Sequence, residues 1–123
     1  QSSAATASAS QVMDLLRSTA WANITPGGSL ATDTTSPSPD CRALTSPVTA
    51  FNCDDFLPGV GQVKTRWQIT PAVGTNRMVL ITVQSFGMGA LAGARSQATF
   101  TTYRTCTQST PGSCGLQPCC LAP

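Results

Sequence analysis

The sequence contains no histidine and no glutamate, and charged residues make up only 10% of its 123 residues, against about 25% in ordinary soluble domains. Without histidine, neither a Ser-His-Asp nor a Cys-His arrangement for nucleophilic catalysis can form. The acids are five aspartates, of which only Asp54 and Asp55 are adjacent. Since neighbouring side chains usually diverge, we interpret this pair as part of a solvated loop or turn. We therefore expect a protein that is not an enzyme and has no cofactor.

Basic residues and long apolar runs are also scarce. The seven Lys and Arg residues are spread from Arg17 to Arg104, without the basic block that is typical of nucleic-acid binding. The longest apolar stretch, Met78–Val83, is far shorter than the roughly 20 residues that cross a bilayer. The alternative is a nucleic-acid site in which bases stack on Trp67 beside Arg66 or on Tyr103 beside Arg104. Strand alternation, however, places the two residues of each pair on opposite faces of the sheet. We predict instead that Trp67 packs in the core.

Cysteine, in contrast, is frequent for a chain of this length. The six cysteines are Cys41, Cys53, Cys106, Cys114, Cys119 and Cys120. An even number indicates disulfides and an oxidising compartment, so we expect that a segment directing export has been removed. A metal site is the competing interpretation, but histidine ligands and paired Cys-x-x-Cys motifs are missing. On proximity we predict a Cys41–Cys53 bridge, with the other four cysteines paired among themselves.

Residues 1–22 have the pattern of an amphipathic helix. Apolar residues recur at helical spacing, at Ala5, Ala9, Val12, Leu16 and Ala20, and nothing breaks the run before the Pro-Gly-Gly sequence that starts at residue 26. The helix has no N-cap residue at its start. We therefore expect it to be the rear part of a longer helix.

The rest of the chain divides into three parts. Residues 23–62 are rich in proline, serine and threonine, which predicts a loop region with at most a short strand near Val48–Phe51. Residues 63–106 contain three strand-like runs that predict an antiparallel meander. Residues 107–123 form a cysteine-rich tail. The fold predicted for the single domain 1–123 is α+β, with the helix packed on a three- to four-stranded antiparallel sheet, a disulfide-stapled loop and the tail.

Two motifs in this order are similar to those of a known family. Arg66-Trp67-Gln68-Ile69, followed by Arg77 to Val83, resembles the strand pair of minor pilins of the PilV kind and of the related pseudopilin I of type II secretion. The resemblance covers residues 1 to about 105 and leaves out the tail. The sequence departs from the family pattern in two places: it has no apolar N-terminal helix with a Glu at its fifth position, and Phe86-Gly87 only approximates the family's aromatic-then-glycine pattern.

The resemblance implies a pilin-like head with a structural and assembly role, not a catalytic one. Its partners would be other minor pilins or pseudopilins, the major pilin and, through a missing N-terminal helix, the inner-membrane assembly machinery. It would lie in the periplasm or in a cell-surface filament, anchored in the inner membrane before assembly. From expected exposure we take the candidate interface residues to be Gln11, Asp14, Arg17 and Ser18, and the loops around Asp54 and Met88.

Two other functions stay open at this point. A secreted disulfide-rich binding or inhibitor module would use the cysteine-rich tail for recognition. A pilus-tip adhesin or DNA-uptake head would have the same fold and would add ligand binding. The pilin and adhesin interpretations require an upstream membrane helix, whereas the secreted module requires a cleaved signal peptide.

Overall fold

The computed structural model describes residues 3–59, 61–73, 78–89 and 97–106. These residues form one helix and five strands. The elements are α1 (Ser3–Ser18), β1 (Gly27–Gly28), β2 (Asn52–Leu57), β3 (Gly61–Pro71), β4 (Met78–Met88) and β5 (Gln97–Thr105), with 3₁₀ turns at Trp21–Asn23 and Cys41–Ala43. The α+β class and the helix packed on an antiparallel sheet are confirmed.

Helix α1 presents its predicted apolar stripe to the sheet except for Ala20, which lies beyond the helix end and is exposed. Ala5, Ala9, Val12 and Leu16 are all buried, which is the i, i+4 and i+3 spacing of one helical face. The helix ends at Ser18, short of the predicted end at residue 22. Its last turn is closed by the Thr19 hydroxyl, which donates to the carbonyl of residue 15 at 2.8 Å, and the next residue has an extended backbone.

The sheet is antiparallel throughout and is built around β3 and β4. Strands β3, β4 and β5 form the predicted meander, with Trp67 opposite Val83 and Val83 opposite Phe100. Strands β1 and β2 share the other edge of β3: Gly27 pairs with Ile69, and β2 pairs with the stretch 61–66. The strand order is therefore β1/β2, β3, β4, β5.

The sheet has five strands rather than three or four, because residues 23–62 contain β1, β2 and the first residues of β3. The short strand expected near Val48–Phe51 is not formed there; the strand begins at Asn52. Strand β2 runs through Asp54 and Asp55, so their interpretation as a solvated loop or turn is wrong. Asn and Asp are poor strand formers, and the pattern alone gave no sign of a strand here. Cross-strand pairing overrides this preference: Asp54 lies opposite Lys64 and forms an ion pair with it at 2.6 Å.

The core lies between α1 and the sheet face that it covers. Trp67 is fully buried there, which confirms its predicted core position. The core cluster consists of Ala9, Val12, Met13, Leu16, Ile24, Cys41, Val48, Cys53, Trp67, Ile69, Val79, Ile81 and Val83. Full burial of one large aliphatic side chain contributes about 1.5–3 kcal/mol, so this cluster dominates the stability of the fold.

The Cys41–Cys53 bridge is confirmed, and both of its cysteines are fully buried. It ties the 3₁₀ turn at residue 41 to β2 and so holds the long connection against the sheet. Cys106 is also disulfide-bonded, and its partner is outside the residues described. The predicted pairing of the tail involves Cys114, Cys119 and Cys120, which lie outside them too. In the described ranges, no helix is long and apolar enough to cross a membrane.

Candidate interaction surfaces

Four charged residues on the sheet face opposite α1 are paired with one another: Asp33, Asp54, Lys64 and Arg66. Lys64 contacts Asp33 at 2.7 Å and Asp54 at 2.6 Å, and Arg66 contacts Asp33 at 2.9 Å. The Arg66 guanidinium also lies 5.2 Å from the centre of the Phe86 ring, within cation–π range. These cations already have partners, so the network stabilises the fold rather than offering an open anion site.

The network changes the proton affinity of its members in the direction expected of ion pairs. The hydrogen bond from Lys64 holds the pKa of Asp33 below its usual value, against the opposing effect of burial. Burial alone would lower the pKa of Lys64, but hydrogen bonds with Asp33 and Asp54 outweigh it, and the pKa is raised. Both groups are therefore charged at neutral pH.

Asp33 belongs to a segment, residues 29–38, that lies along the sheet edge. The side chain of Asn52, at the start of β2, holds this segment in place by hydrogen bonds. Its oxygen accepts hydrogen bonds from the backbone N–H groups of Thr34 and Thr35, at 3.0 and 2.8 Å, and its amide group donates to Thr35 and Ser38. Asn52 is fully buried, so a polar residue has a structural role here that its sequence position did not reveal.

Asp55 points to the opposite side, under α1. It accepts a hydrogen bond from Ser8 at 2.9 Å and forms an ion pair with Arg42 at 3.0 Å. Asp54 and Asp55 thus bind different partners on different faces of the sheet. Among the described residues, no three Cys or Asp side chains form a group that could hold a metal ion.

The predicted helix-face residues Gln11, Asp14, Arg17 and Ser18 are all exposed. Gln11 donates to the carbonyl of Cys41 at 3.3 Å, and Ser18 donates to a carbonyl of its own helix. Asp14 and Arg17 form no ion pair within the described part of the chain.

A groove of about 250 Å³ runs between α1 and β5, next to these two charges. Its lining residues are Ser10, Met13, Asp14, Arg17, Phe100, Thr101 and Thr102. The structure therefore brings Asp14 and Arg17 together with β5, a strand that sequence reasoning did not connect with the helix face. Its lining combines the apolar Met13 and Phe100 with polar residues and one charge of each sign.

Arg104 joins β5 to the end of α1, beyond the residues that line this groove. Its guanidinium donates hydrogen bonds to the carbonyl oxygens of Leu16 and Thr19, at the C-terminal end of α1. Burial lowers the pKa of Arg104 from its usual value, but an arginine stays protonated at neutral pH. The guanidinium of Arg104 is thus engaged at the helix end, while Tyr103 lies on the other face of the sheet and is exposed.

A second surface lies at the tip of the sheet where β2, β3 and β4 meet. Phe56 is 62% exposed and Met88 39%. They lie in one row across the sheet, on either side of Gln62, and line a cleft of about 610 Å³ together with Leu57 and its turn. The sequence pointed to loops near Asp54 and Met88. Both residues lie in strands instead, Asp54 in β2 and Met88 at the end of β4. The sequence missed Phe56, whose signal would have been a pair of apolar residues, 56 and 57, before a Pro-Gly turn.

No family model, curated protein or solved structure matches this chain. The inference of a function therefore depends on the surfaces described above and on the sequence resemblance.

Proposed function

We propose that the chain is a structural and assembly subunit of an extracytoplasmic filament: a minor pilin or minor pseudopilin whose head joins a tip or priming complex of a type IV pilus or a type II secretion pseudopilus. The observation that carries this proposal is the arrangement of α1, which lies along one face of an antiparallel meander and is joined to it by a connection with a buried disulfide. The helix packed on an antiparallel meander is the part of this arrangement that the resemblance implies; the Cys41–Cys53 bridge was predicted separately, from proximity along the chain.

The positions of the two sequence motifs on the sheet support the same proposal. The Arg66-to-Ile69 motif lies on β3 and the stretch 78–83 lies on β4, which are the two central strands of the sheet. Their apolar members, such as Trp67 and Ile81, face the helix and are buried. The motifs thus serve to pack a helix on a sheet, which is a scaffold role.

Two exposed surfaces are available for neighbouring subunits. One is the helix face of Gln11, Asp14, Arg17 and Ser18. The other is the apolar tip around Phe56. Exposed apolar side chains at one end of a domain mark interaction sites more often than isolated ones do. In the proposed function, these surfaces contact other pilins while the core only holds them in position.

The first test is to read the coding sequence upstream of Gln1. A short basic leader ending in glycine, followed by about 20 apolar residues with an early glutamate, is expected. A signal peptide with a small-residue cleavage site would overturn the proposal and make the chain a free secreted module.

A second test measures assembly directly. Deletion of the gene is expected to reduce surface filaments or secretion, and the wild-type gene is expected to restore them. The double variant Phe56→Ser/Met88→Ser is expected to fold normally but to restore assembly poorly and to lose co-purification with neighbouring subunits. Val73→Ser, which changes a fully exposed apolar residue outside the tip, is the matched control. Full assembly by the tip variant would remove this surface from the proposal.

A further inference from the structure

Strand β5 is an edge strand without the usual protection. In the ranges that the structure describes, it pairs only with β4, in an unbroken register from residue 97 to residue 105. Natural edges are blunted by lysine, proline or bulges, and Gln97–Thr105 contains none of these. Its only charged residue, Arg104, is directed to the end of α1. The outward N–H and C=O groups of β5 are therefore a template for another strand.

The groove beside this edge carries a second, independent feature. Asp14 and Arg17 have opposite charges, are exposed and form no ion pair within the described ranges. They lie next to residues 100–102, and Thr101 is the midpoint of β5. A two-fold axis through Thr101 would thus bring the groove of one molecule against the groove of a second, with each aspartate near the partner's arginine.

We propose that β5 and the adjacent face of α1 form a two-fold contact between two copies of this chain, in which β5 pairs antiparallel with its counterpart. The facing pairs would be Thr101 with Thr101, Phe100 with Thr102, Thr99 with Tyr103, Ala98 with Arg104 and Gln97 with Thr105. No pair places like charges opposite each other, which would be destabilising. Self-complementarity of this kind is what a two-fold interface requires.

The spacing of the elements fits this contact. Helix α1 packs on β3, β4 and β5, so its axis lies over the middle strand of the three. Strands lie about 4.8 Å apart, which places each helix axis about 7 Å from the two-fold axis and the two helices about 14 Å apart. Helices in direct contact are about 8–10 Å apart. The additional distance between the two helices can be spanned by an arginine side chain from one copy and an aspartate side chain from the other.

This inference rests on the proposed function only in taking the helix face as an interaction surface. It assigns that surface to a second copy of the chain. It is tested on the purified, oxidised chain by sedimentation velocity over a range of concentrations. The expected result is a monomer–dimer equilibrium that weakens as salt rises. A chain that stays monomeric up to millimolar concentration would overturn the inference. This is also the result expected if residues 107–123 cover the edge of β5. The assembly tests above would be unaffected by that outcome.

Charge reversal and restoration make the test specific. Asp14→Arg and Arg17→Asp, each alone, are expected to weaken the dimer about tenfold at low salt, because each places like charges across the axis. The double variant Asp14→Arg/Arg17→Asp restores opposite charges and is expected to return to within about threefold of the wild-type Kd. Equal weakening by the double variant would contradict the predicted contact.

The edge itself is tested by Thr101→Lys, which places two lysines on the axis and is expected to abolish the dimer. Gln68→Lys is its matched control, because Gln68 is exposed on β3, away from the edge. Circular dichroism of each variant checks that the fold is kept. If Thr101→Lys is found unfolded, the charge-swap variants decide the question alone. A folded Thr101→Lys variant that still forms the dimer would overturn the pairing through β5.

Discussion

The contact between Arg104 and the end of α1 leads to a quantitative prediction. Replacing Arg104 with Met keeps most of the aliphatic stem but removes the donors to the carbonyls of Leu16 and Thr19. Those carbonyls are at the negative end of the helix dipole. Apart from Arg104, the Leu16 carbonyl accepts a long backbone hydrogen bond from the N–H of Thr19, at 3.4 Å. The variant is therefore expected to lose stability through the end of the helix, not through the core.

The magnitude follows from the two hydrogen bonds. A hydrogen bond from a charged donor contributes about 1.5–3 kcal/mol when buried, and a cation at a helix C-terminus adds about 0.3–1 kcal/mol. Because Arg104 is only partly buried, solvent screens both hydrogen bonds, and we take about 1 kcal/mol for each, below the fully buried range. The expected loss is about 2–3 kcal/mol in the free energy of unfolding.

The assay is urea unfolding of the oxidised chain at low micromolar concentration, followed by tryptophan fluorescence, for which the fully buried Trp67 is the main reporter. Arg17→Met is the matched control: it makes the same chemical change in the last turn of the same helix, at an exposed side chain, and is expected to cost about 0.5 kcal/mol. If the two variants lower the unfolding free energy equally, the capping role of Arg104 is refuted.

Three further predictions concern the disulfide and two polar contacts. The Cys41→Ala/Cys53→Ala variant is expected to lose about 2–3 kcal/mol in urea unfolding, since the bridge restricts the unfolded chain; an unchanged midpoint would contradict this. The pKa of Asp33 is lowered by its lysine and arginine partners, so its contribution is present above its unfolded pKa and is lost as pH falls through its folded pKa. Asp33→Asn should therefore flatten the stability curve below about pH 4, as measured by thermal unfolding at each pH, whereas parallel curves would argue against the ion pair. Ser8→Ala removes the donor to Asp55 and should cost about 1 kcal/mol, and a Ser8→Thr control that retains the hydroxyl should recover part of it.

The parts of the fold that the sequence predicted are those encoded by local periodicity. Alternation in β3 identified Trp67 as a core residue, and helical spacing identified the buried stripe of α1. The Cys41–Cys53 bridge followed from proximity along the chain. In each case neighbouring residues carried the signal.

The parts that could not be predicted depend on partners far away in sequence. Strand β2 has poor strand formers, and only the position of Lys64 across the ladder explains why Asp54 is extended. Asn52 and Arg104 were not recognised as structural, because their hydrogen-bond partners are 14 or more residues away. The groove between α1 and β5 likewise exists only after the two ends of the domain have met.

This last feature has a consequence for the order in which the molecule is made. Leu16 and Arg104 are 88 residues apart, and a ribosome adds about 5–20 residues per second. The helix is therefore synthesised roughly 5 to 20 seconds before the strand that caps it. During that interval its apolar stripe has no finished sheet to cover it. The apolar stripe of the nascent helix therefore stays exposed until β5 has been made, and Arg104 can close the end of α1 only as the last described strand is completed.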